Sequence, residues 1–195
     1  MTKGNEYASD DANTIDVVKI RIASCPTGYE LIKDMDRDKY EVIQTTSTSE
    51  SLSLIVNGQA DLVLAGRTLK PTEPSLGVRV IRDGYAVLGD REKTIYIDQL
   101  RDNVVYTDHE SDEVKNVFDV DQVERVDDVY GYVNKYVVIT DWDKVDYTKA
   151  GLIHVLNESG QRVLDSRRMA LYYDEKDVET ANKVADLIKN LVKDR

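Results

Sequence analysis

Strand and helix patterns alternate strictly over the first third of the chain, and this alternation constrains the fold more than any other feature. Residues 60–65, ADLVLA, form a mainly apolar run typical of a strand that is buried on both faces of a sheet. The alternating pattern at 18–22 and the short apolar run at 42–43 predict two earlier strands, with helices between the strands. This β-α-β-α-β order favours a parallel α/β sheet.

The second predicted helix has clear sequence signals at both ends. Ser47, followed by Glu50 three residues later, fits a capping box at the N-terminus. Leu52 and Ile55 give the helix an apolar face, and Gly58 stands where a C′ glycine ends a helix. The helix therefore begins within a cluster of small hydroxyl side chains.

Hydroxyl side chains and an arginine occur where the predicted sheet would bring them together. The cluster at 45–49 lies at a helix N-terminus, and Arg67 follows the next strand. Exposed backbone N–H groups, the helix dipole and an arginine fork all suit an anion. The candidate ligand-binding residues here are Ser24 and Thr27 after the first strand, Thr46, Ser47 and Thr48 at the helix start, and Arg67 after the third strand.

Each of these residues also has a simpler interpretation. Serine and threonine are favoured at helix N-termini whether or not a ligand binds there. Arg67 could pair with one of the 37 acidic residues of the chain. The sequence leaves both interpretations open.

Charge and composition exclude several function classes. The formal net charge is −11 and no block of Lys or Arg occurs, which argues against nucleic acid or an anionic membrane as the main partner. No apolar run reaches the length of about 18 residues that a transmembrane helix needs, so we expect no direct insertion into a membrane. Cys25 is the only cysteine, so no internal disulfide can form.

The segments 20–28, 45–53 and 57–67 together resemble the type II periplasmic-binding-protein fold. The resemblance is strongest to solute-binding proteins for phosphate, molybdate and tungstate, in which a Gly-x-Ala-Asp-apolar strand follows the second helix. It implies an α/β, two-lobed fold with mostly parallel sheets flanked by helices. The loop at 24–28 lacks the glycine- and serine-rich character common in phosphate binders, so an oxyanion and an anionic metabolite both remain candidate ligands.

The resemblance also implies a division of the chain. Residues 1–15 would be a flexible leader, 16–85 and 167–195 would form lobe 1, and 86–166 would form lobe 2. In this fold the second lobe closes over the ligand, so Thr107 and Thr140, at predicted strand ends, are the candidate binding residues there.

The implied function is that of a solute-binding protein, which captures a small anion in an interlobe cleft for ABC-type transport. Its partners would be the anion and a membrane permease. We expect an extracytoplasmic protein whose signal or anchor has been removed, or a cytoplasmic one if Met1 is the native start. No cofactor motif occurs, and Cys25, His109 and His154 do not have the spacing of a metal site, so no cofactor or metal is expected.

Two other functions remain open at this stage. The first is a ligand-sensing or protein-interaction domain on the same fold, detached from transport. The second is an enzyme on the same fold, for which Cys25, Asp108, His109 and Asp141 would be the best available catalytic set. A non-enzymatic binding protein is the expectation that the residues favour.

Overall fold

Two mixed β-sheets organise the computed structural model, which describes residues 18–139, 141–161 and 168–193. The first sheet has the strand order β2-β1-β3-β11-β4 and consists of β1 (Ile20–Ser24), β2 (Tyr40–Gln44), β3 (Leu62–Ala65), β4 (Gly77–Arg82) and β11 (Met169–Tyr173). The second has the order β6-β10-β5-β9-β7-β8 and consists of β5 (Ala86–Gly89), β6 (Lys93–Tyr96), β7 (Val105–Thr107), β8 (Val123–Arg125), β9 (Tyr136–Ile139) and β10 (Gly151–Leu156).

Five α-helices flank these sheets. They are α1 (Pro26–Ile32), α2 (Thr48–Val56), α3 (Ile97–Arg101), α4 (Ser111–Phe118) and α5 (Val178–Lys193). Short 3-10 helices occupy Val129–Tyr132, Trp142–Lys144 and Glu175–Asp177. Within the described ranges, no helix is both long enough and apolar enough to cross a membrane.

The pairing of β1 explains the arrangement of the first sheet. This strand pairs in parallel with β2 and with β3, so that Ile22 lies opposite both Val42 and Leu62. The return strand β11 then pairs antiparallel with β3 and with β4. The predicted α/β fold class with two sheets and flanking helices is confirmed, and the return strand makes the first sheet mixed.

The chain passes between the two sheets twice. Residues 20–82 and 169–173 supply the strands of the first sheet, and residues 86–156 supply those of the second. The division into lobes 16–85 with 167–195 and 86–166 stays a prediction. The predicted leader, 1–15, lies outside the described residues.

Both faces of the first sheet are covered, as the apolar β3 sequence predicts. Leu62 and Leu64 pack in the cluster formed with α1 and α5, whereas Val63 and Ala65 pack in the cluster formed with α2. Successive residues of a strand point to opposite faces of a sheet, so a strand covered on both faces needs apolar residues throughout.

The second sheet is likewise covered on both sides. One cluster joins Leu100 of α3 and Val114 of α4 to Val138 of β9. The opposite cluster includes Trp142, which follows β9, and Val129. The side chain of Trp142 therefore packs in the core of the second sheet, on the face opposite to α3 and α4.

We expect Leu171→Ala to destabilise the protein by about 2–5 kcal/mol, because Leu171 lies on the return strand β11, between β3 and β4, and is 0% exposed. Val56→Ala is the control, since Val56 is 62% exposed and its truncation should change stability by at most about 0.5 kcal/mol. Equilibrium denaturation measures both values. Equal effects of the two substitutions would contradict the described core.

Candidate ligand-binding cleft

A cleft of about 680 Å³ lies between the two sheets, a size within the range of small-molecule sites. It is lined by Cys25, Pro26, Thr27, Thr46, Ser47, Thr48, Ser49, Gly66, Arg67, Lys70, Tyr85, Val87, Glu92, Lys93, Thr94, Trp142, Leu152, Ile153, His154 and Val155. The first half of this set comes from the loops after β1, β2 and β3. The second half comes from the strands and loops of the second sheet.

The first wall brings together five residues that the sequence singles out. Thr27, Thr46, Ser47, Thr48 and Arg67 all line the cleft. They meet because β1, β2 and β3 run parallel, so their carboxyl ends reach the same edge of the sheet. Their role as ligand contacts stays a prediction.

The start of α2 uses part of the hydroxyl cluster for capping. The Ser47 hydroxyl accepts a hydrogen bond from the Glu50 N–H at 3.1 Å. The Glu50 carboxylate accepts from the Thr46 hydroxyl at 2.6 Å and from the Thr46 N–H at 2.9 Å, and these bonds lower the pKa of Glu50. The hydroxyls of Thr27 and Thr48 make no hydrogen bond within the described ranges, so they are available to a ligand.

Arg67 forms a nearly buried ion pair with Glu73. Its two terminal nitrogens donate to the two Glu73 carboxylate oxygens at 2.8 and 2.7 Å. Ser49 Oγ donates to the same carboxylate at 3.2 Å, and so does the Lys70 N–H at 2.7 Å. The charge of Arg67 is therefore matched within the first wall, as the salt-bridge interpretation of this residue requires.

The pKa values of the pair report how strongly it is coupled. Burial alone would lower the pKa of Arg67, but the hydrogen bonds and charge of Glu73 outweigh burial and raise it. Burial alone would raise the pKa of Glu73, but the bonds from Arg67 and from the Lys70 N–H outweigh it and lower the pKa. Both groups are therefore held in their charged forms.

Polar contacts link the loops of the two sheets beside the cleft. Lys70 Nζ of the first wall lies 3.5 Å from a Glu92 carboxylate oxygen of the second, and His154 Nε2 lies 3.1 Å from the other oxygen. The hydrogen bond from His154 and the charge of Lys70 lower the pKa of Glu92 against the effect of burial. The Thr68 and Tyr147 hydroxyls, 3.0 Å apart, form the second link.

Two predicted ligand-binding residues do not line the cleft, and a third is not described by the structure. Ser24 is fully buried, and its hydroxyl donates to the Leu64 carbonyl at 2.9 Å, because the parallel β1–β3 register places these groups side by side. Thr107 is also fully buried, and its hydroxyl accepts from the His109 N–H at 3.2 Å. Thr140 lies outside the described residues.

The catalytic set considered for an enzyme is not assembled in this cleft. Cys25 lines it, but Asp108, His109 and Asp141 do not, and His109 Nε2 pairs instead with Glu113 at 3.1 Å. Across 18–139, 141–161 and 168–193, no group of three or more His, Cys, Asp or Glu residues is placed to hold a metal ion.

The cleft lining also contains residues that the sequence analysis did not assign to a binding site. They are Tyr85, Glu92, Lys93, Trp142 and His154, together with Lys70 of the first wall. The single tryptophan was the one usable signal, because it follows the predicted strand at 136–140 within two residues. The others depend on the antiparallel pairing of β5 with β10, which no local pattern reveals.

No protein-family model matches the chain, and no curated protein matches it in sequence. Solved structures with a similar course of the chain include an OxyR mutant from Corynebacterium glutamicum, at 13% identity and TM-score 0.43, covering 93% of this chain and 66% of that one. The reduced regulatory domain of OxyR2 from Vibrio vulnificus has 13% identity and TM-score 0.41, and the match covers 89% of this chain and 95% of that domain. An ABC-type phosphate transport receptor from Vibrio cholerae has 12% identity and TM-score 0.39, and the match covers 89% of this chain and 94% of the receptor chain.

The fold class of the chain follows from the sheet topology described above. The chain spans slightly less than two thirds of the length of the C. glutamicum OxyR mutant.

We expect Glu73→Gln to destabilise the protein at neutral pH by on the order of 3 kcal/mol, because it leaves the nearly buried Arg67 without its counter-charge. The pKa of Glu73 is lowered on folding, so its stabilising effect is present above about pH 4.3 and is lost as the pH falls through the folded value. The free energy of unfolding of the variant should therefore fall less steeply with acid than that of wild type.

Glu124→Gln is the matched control, because Glu124 is exposed and makes no ion pair within the described ranges. Denaturation midpoints between pH 3 and pH 7 measure all three proteins. Parallel pH profiles for wild type and Glu73→Gln would contradict the coupling of the pair.

Proposed function

We propose that the chain is a binding protein that captures a small anion in the cleft between the sheets. The observation that carries the proposal is the composition of the first wall, where unpaired hydroxyls in the first turns of α1 and α2 meet cationic side chains. Thr27 and Thr48 supply the hydroxyls, and Lys70 supplies a cation that lies 3.5 Å from a Glu92 carboxylate oxygen and 6.0 Å from the centre of the Tyr147 ring. A helix N-terminus with donors and a cation around it favours negative charge.

The charge of the cleft lining differs from that of the whole chain. Arg67, Lys70 and Lys93 line the cleft, whereas Glu92 is the carboxylate among the lining residues. Although the chain has a formal net charge of −11, Lys70 and Lys93 give the cleft cationic side chains that an anion can contact. Because Glu73 already neutralises Arg67, we assign the direct contact with the anion to Lys70. Arg67 would instead stabilise the first wall through its ion pair.

Capture without chemistry is the proposed activity. The cleft lies between two sheets joined by two chain crossings, an arrangement in which a hinge movement can enclose a ligand. As a solute-binding protein, the chain would act outside the cytoplasm and deliver its anion to a membrane permease of the ABC type. A role as a ligand-sensing domain would use the same cleft and the same closure.

Thermal unfolding against phosphate, sulfate, molybdate, tungstate, acetate and hexanoate tests the proposal. We expect a saturable rise in Tm with at least one of these anions, because a ligand that binds only the folded state stabilises it. Lys70→Gln should weaken that anion by roughly tenfold, equivalent to about 1.4 kcal/mol. Lys183→Gln, on the exposed face of α5, is the control and should bind as wild type does. A flat response across the panel would refute the proposal.

Glu92→Gln should strengthen anion binding. In the described structure the Glu92 carboxylate pairs with Lys70 and His154, and a bound anion must compete with it for these groups. Removing its charge should lower the Kd by roughly 3- to 10-fold, equivalent to about 1 kcal/mol. Titration calorimetry with the anion that gives the largest thermal shift measures the change. An unchanged or higher Kd would place the anion away from Lys70.

A further inference from the structure

The carboxylate of Glu73 fills a site that is built to hold an anion. It accepts four hydrogen bonds, two from the Arg67 guanidinium at 2.8 and 2.7 Å, one from Ser49 Oγ at 3.2 Å and one from the Lys70 N–H at 2.7 Å. An arginine fork with added donors is a strong receptor for a carboxylate. The chain therefore supplies both the receptor and the anion that occupies it.

This receptor adjoins the cleft, but its charge is not offered to a ligand there. Arg67 and Ser49 line the cleft, whereas Glu73 is not among the lining residues. The side chains of Arg67 and Glu73 are only 10% and 12% exposed, so water screens their attraction weakly. An anion that displaced Glu73 from Arg67 would leave a nearly buried carboxylate without its counter-charge, which is costly.

The other two cations of the lining have weaker partners. Lys70 Nζ lies 3.5 Å from a Glu92 oxygen, and Lys93 Nζ lies 3.9 Å from an Asp90 oxygen. The two lysine side chains are 34% and 33% exposed, and the two carboxylates are 56% and 58% exposed. Because exposed ion pairs contribute little free energy, an anion can compete with these carboxylates for a lysine.

The three pairs leave the cleft close to charge balance. Each Lys or Arg among the lining residues has a carboxylate within 3.9 Å. A singly charged anion can replace one exposed carboxylate beside a lysine and preserve this balance. A doubly charged anion would need a second unmatched cation, and the nearby carboxylates would repel its extra charge.

We propose that the ligand is a singly charged anion, and that Glu73 determines this preference because it withholds Arg67 from the cleft. The proposal rests on the proposed function, since it names the charge class of the anion held at Lys70. Glu73 acts through Arg67 and does not touch the ligand, so it is a specificity-determining residue behind the first wall.

Two pairs of probe anions test the preference, and the members of each pair differ mainly in charge. Methanesulfonate and sulfate are both tetrahedral at sulfur, and butyrate and succinate have the same chain length. Sulfate and succinate are the doubly charged members at neutral pH. Titration calorimetry at constant ionic strength measures the Kd of each anion for the wild-type protein. We expect the singly charged member of each pair to bind roughly tenfold more tightly.

Glu73→Gln keeps the size of the side chain and removes its charge, so the charge of Arg67 becomes available to a ligand. We expect sulfate and succinate to bind this variant roughly tenfold more tightly than they bind wild type, with smaller changes for methanesulfonate and butyrate. Glu124→Gln is the matched control, because it removes the same charge from an exposed site on β8. Its affinity ratios should equal those of wild type.

Thermal unfolding covers the loss of stability that Glu73→Gln brings. Sulfate should raise the Tm of this variant by more than that of wild type, because it replaces the missing counter-charge of Arg67. Glu73→Asp retains the charge and should retain the preference for singly charged anions. If Glu73→Gln fails to fold even with sulfate, the affinity ratios of wild type and Glu73→Asp decide.

The outcomes distinguish this proposal from the proposed function. Sulfate and succinate binding to wild type as tightly as methanesulfonate and butyrate would overturn the charge preference and leave anion binding intact. Unchanged affinity ratios in folded Glu73→Gln would overturn the role of Glu73. No binding of any of these anions, together with a flat thermal response to the earlier panel, would overturn the proposed function itself.

Discussion

The nearly buried pair of Arg67 and Glu73 is the interaction on which the cleft depends. It closes the loop between β3 and β4, and Ser49 ties it to the first turn of α2. The Tyr172 hydroxyl donates to the Arg67 carbonyl at 2.7 Å, which fixes the same loop to the return strand. Removing two charges from water is costly, and only the bidentate geometry with added hydrogen bonds offsets that cost. The pair therefore holds the polar wall in place.

This use of Arg67 changes how the cleft can attract an anion. An arginine whose terminal nitrogens are occupied by a carboxylate contributes shape and little net charge. The attraction then falls to Lys70, Lys93 and the α2 N-terminus, while Glu92 occupies the position beside Lys70 that an incoming anion would take. The lining residues from the second sheet include apolar side chains. One cleft thus combines cationic and hydroxyl groups on one side with apolar surface on the other.

Local patterns predicted the first sheet well. The β-α-β-α-β order, the Ser47 cap and the burial of 62–65 on both faces follow from periodicity and capping, which act over a few residues. Parallel pairing then placed Thr27 and Thr48 at one edge. The second wall could not be predicted in this way, because Glu92 and His154 meet only through pairings between distant strands. Ser24 shows a second reason why prediction fails. It lies at the predicted end of β1, but the strand register directs its hydroxyl to the Leu64 carbonyl and not to the cleft.

Protection of Cys25 from alkylation tests the central claim most directly. Cys25 is the only cysteine and lines the cleft, so its rate of reaction with iodoacetamide reports whether the cleft is filled. We predict that the anion with the largest thermal shift lowers this rate saturably, at the same concentrations that raise the Tm. An alkylation rate that stays constant while the Tm rises would place the anion elsewhere on the protein and contradict the account.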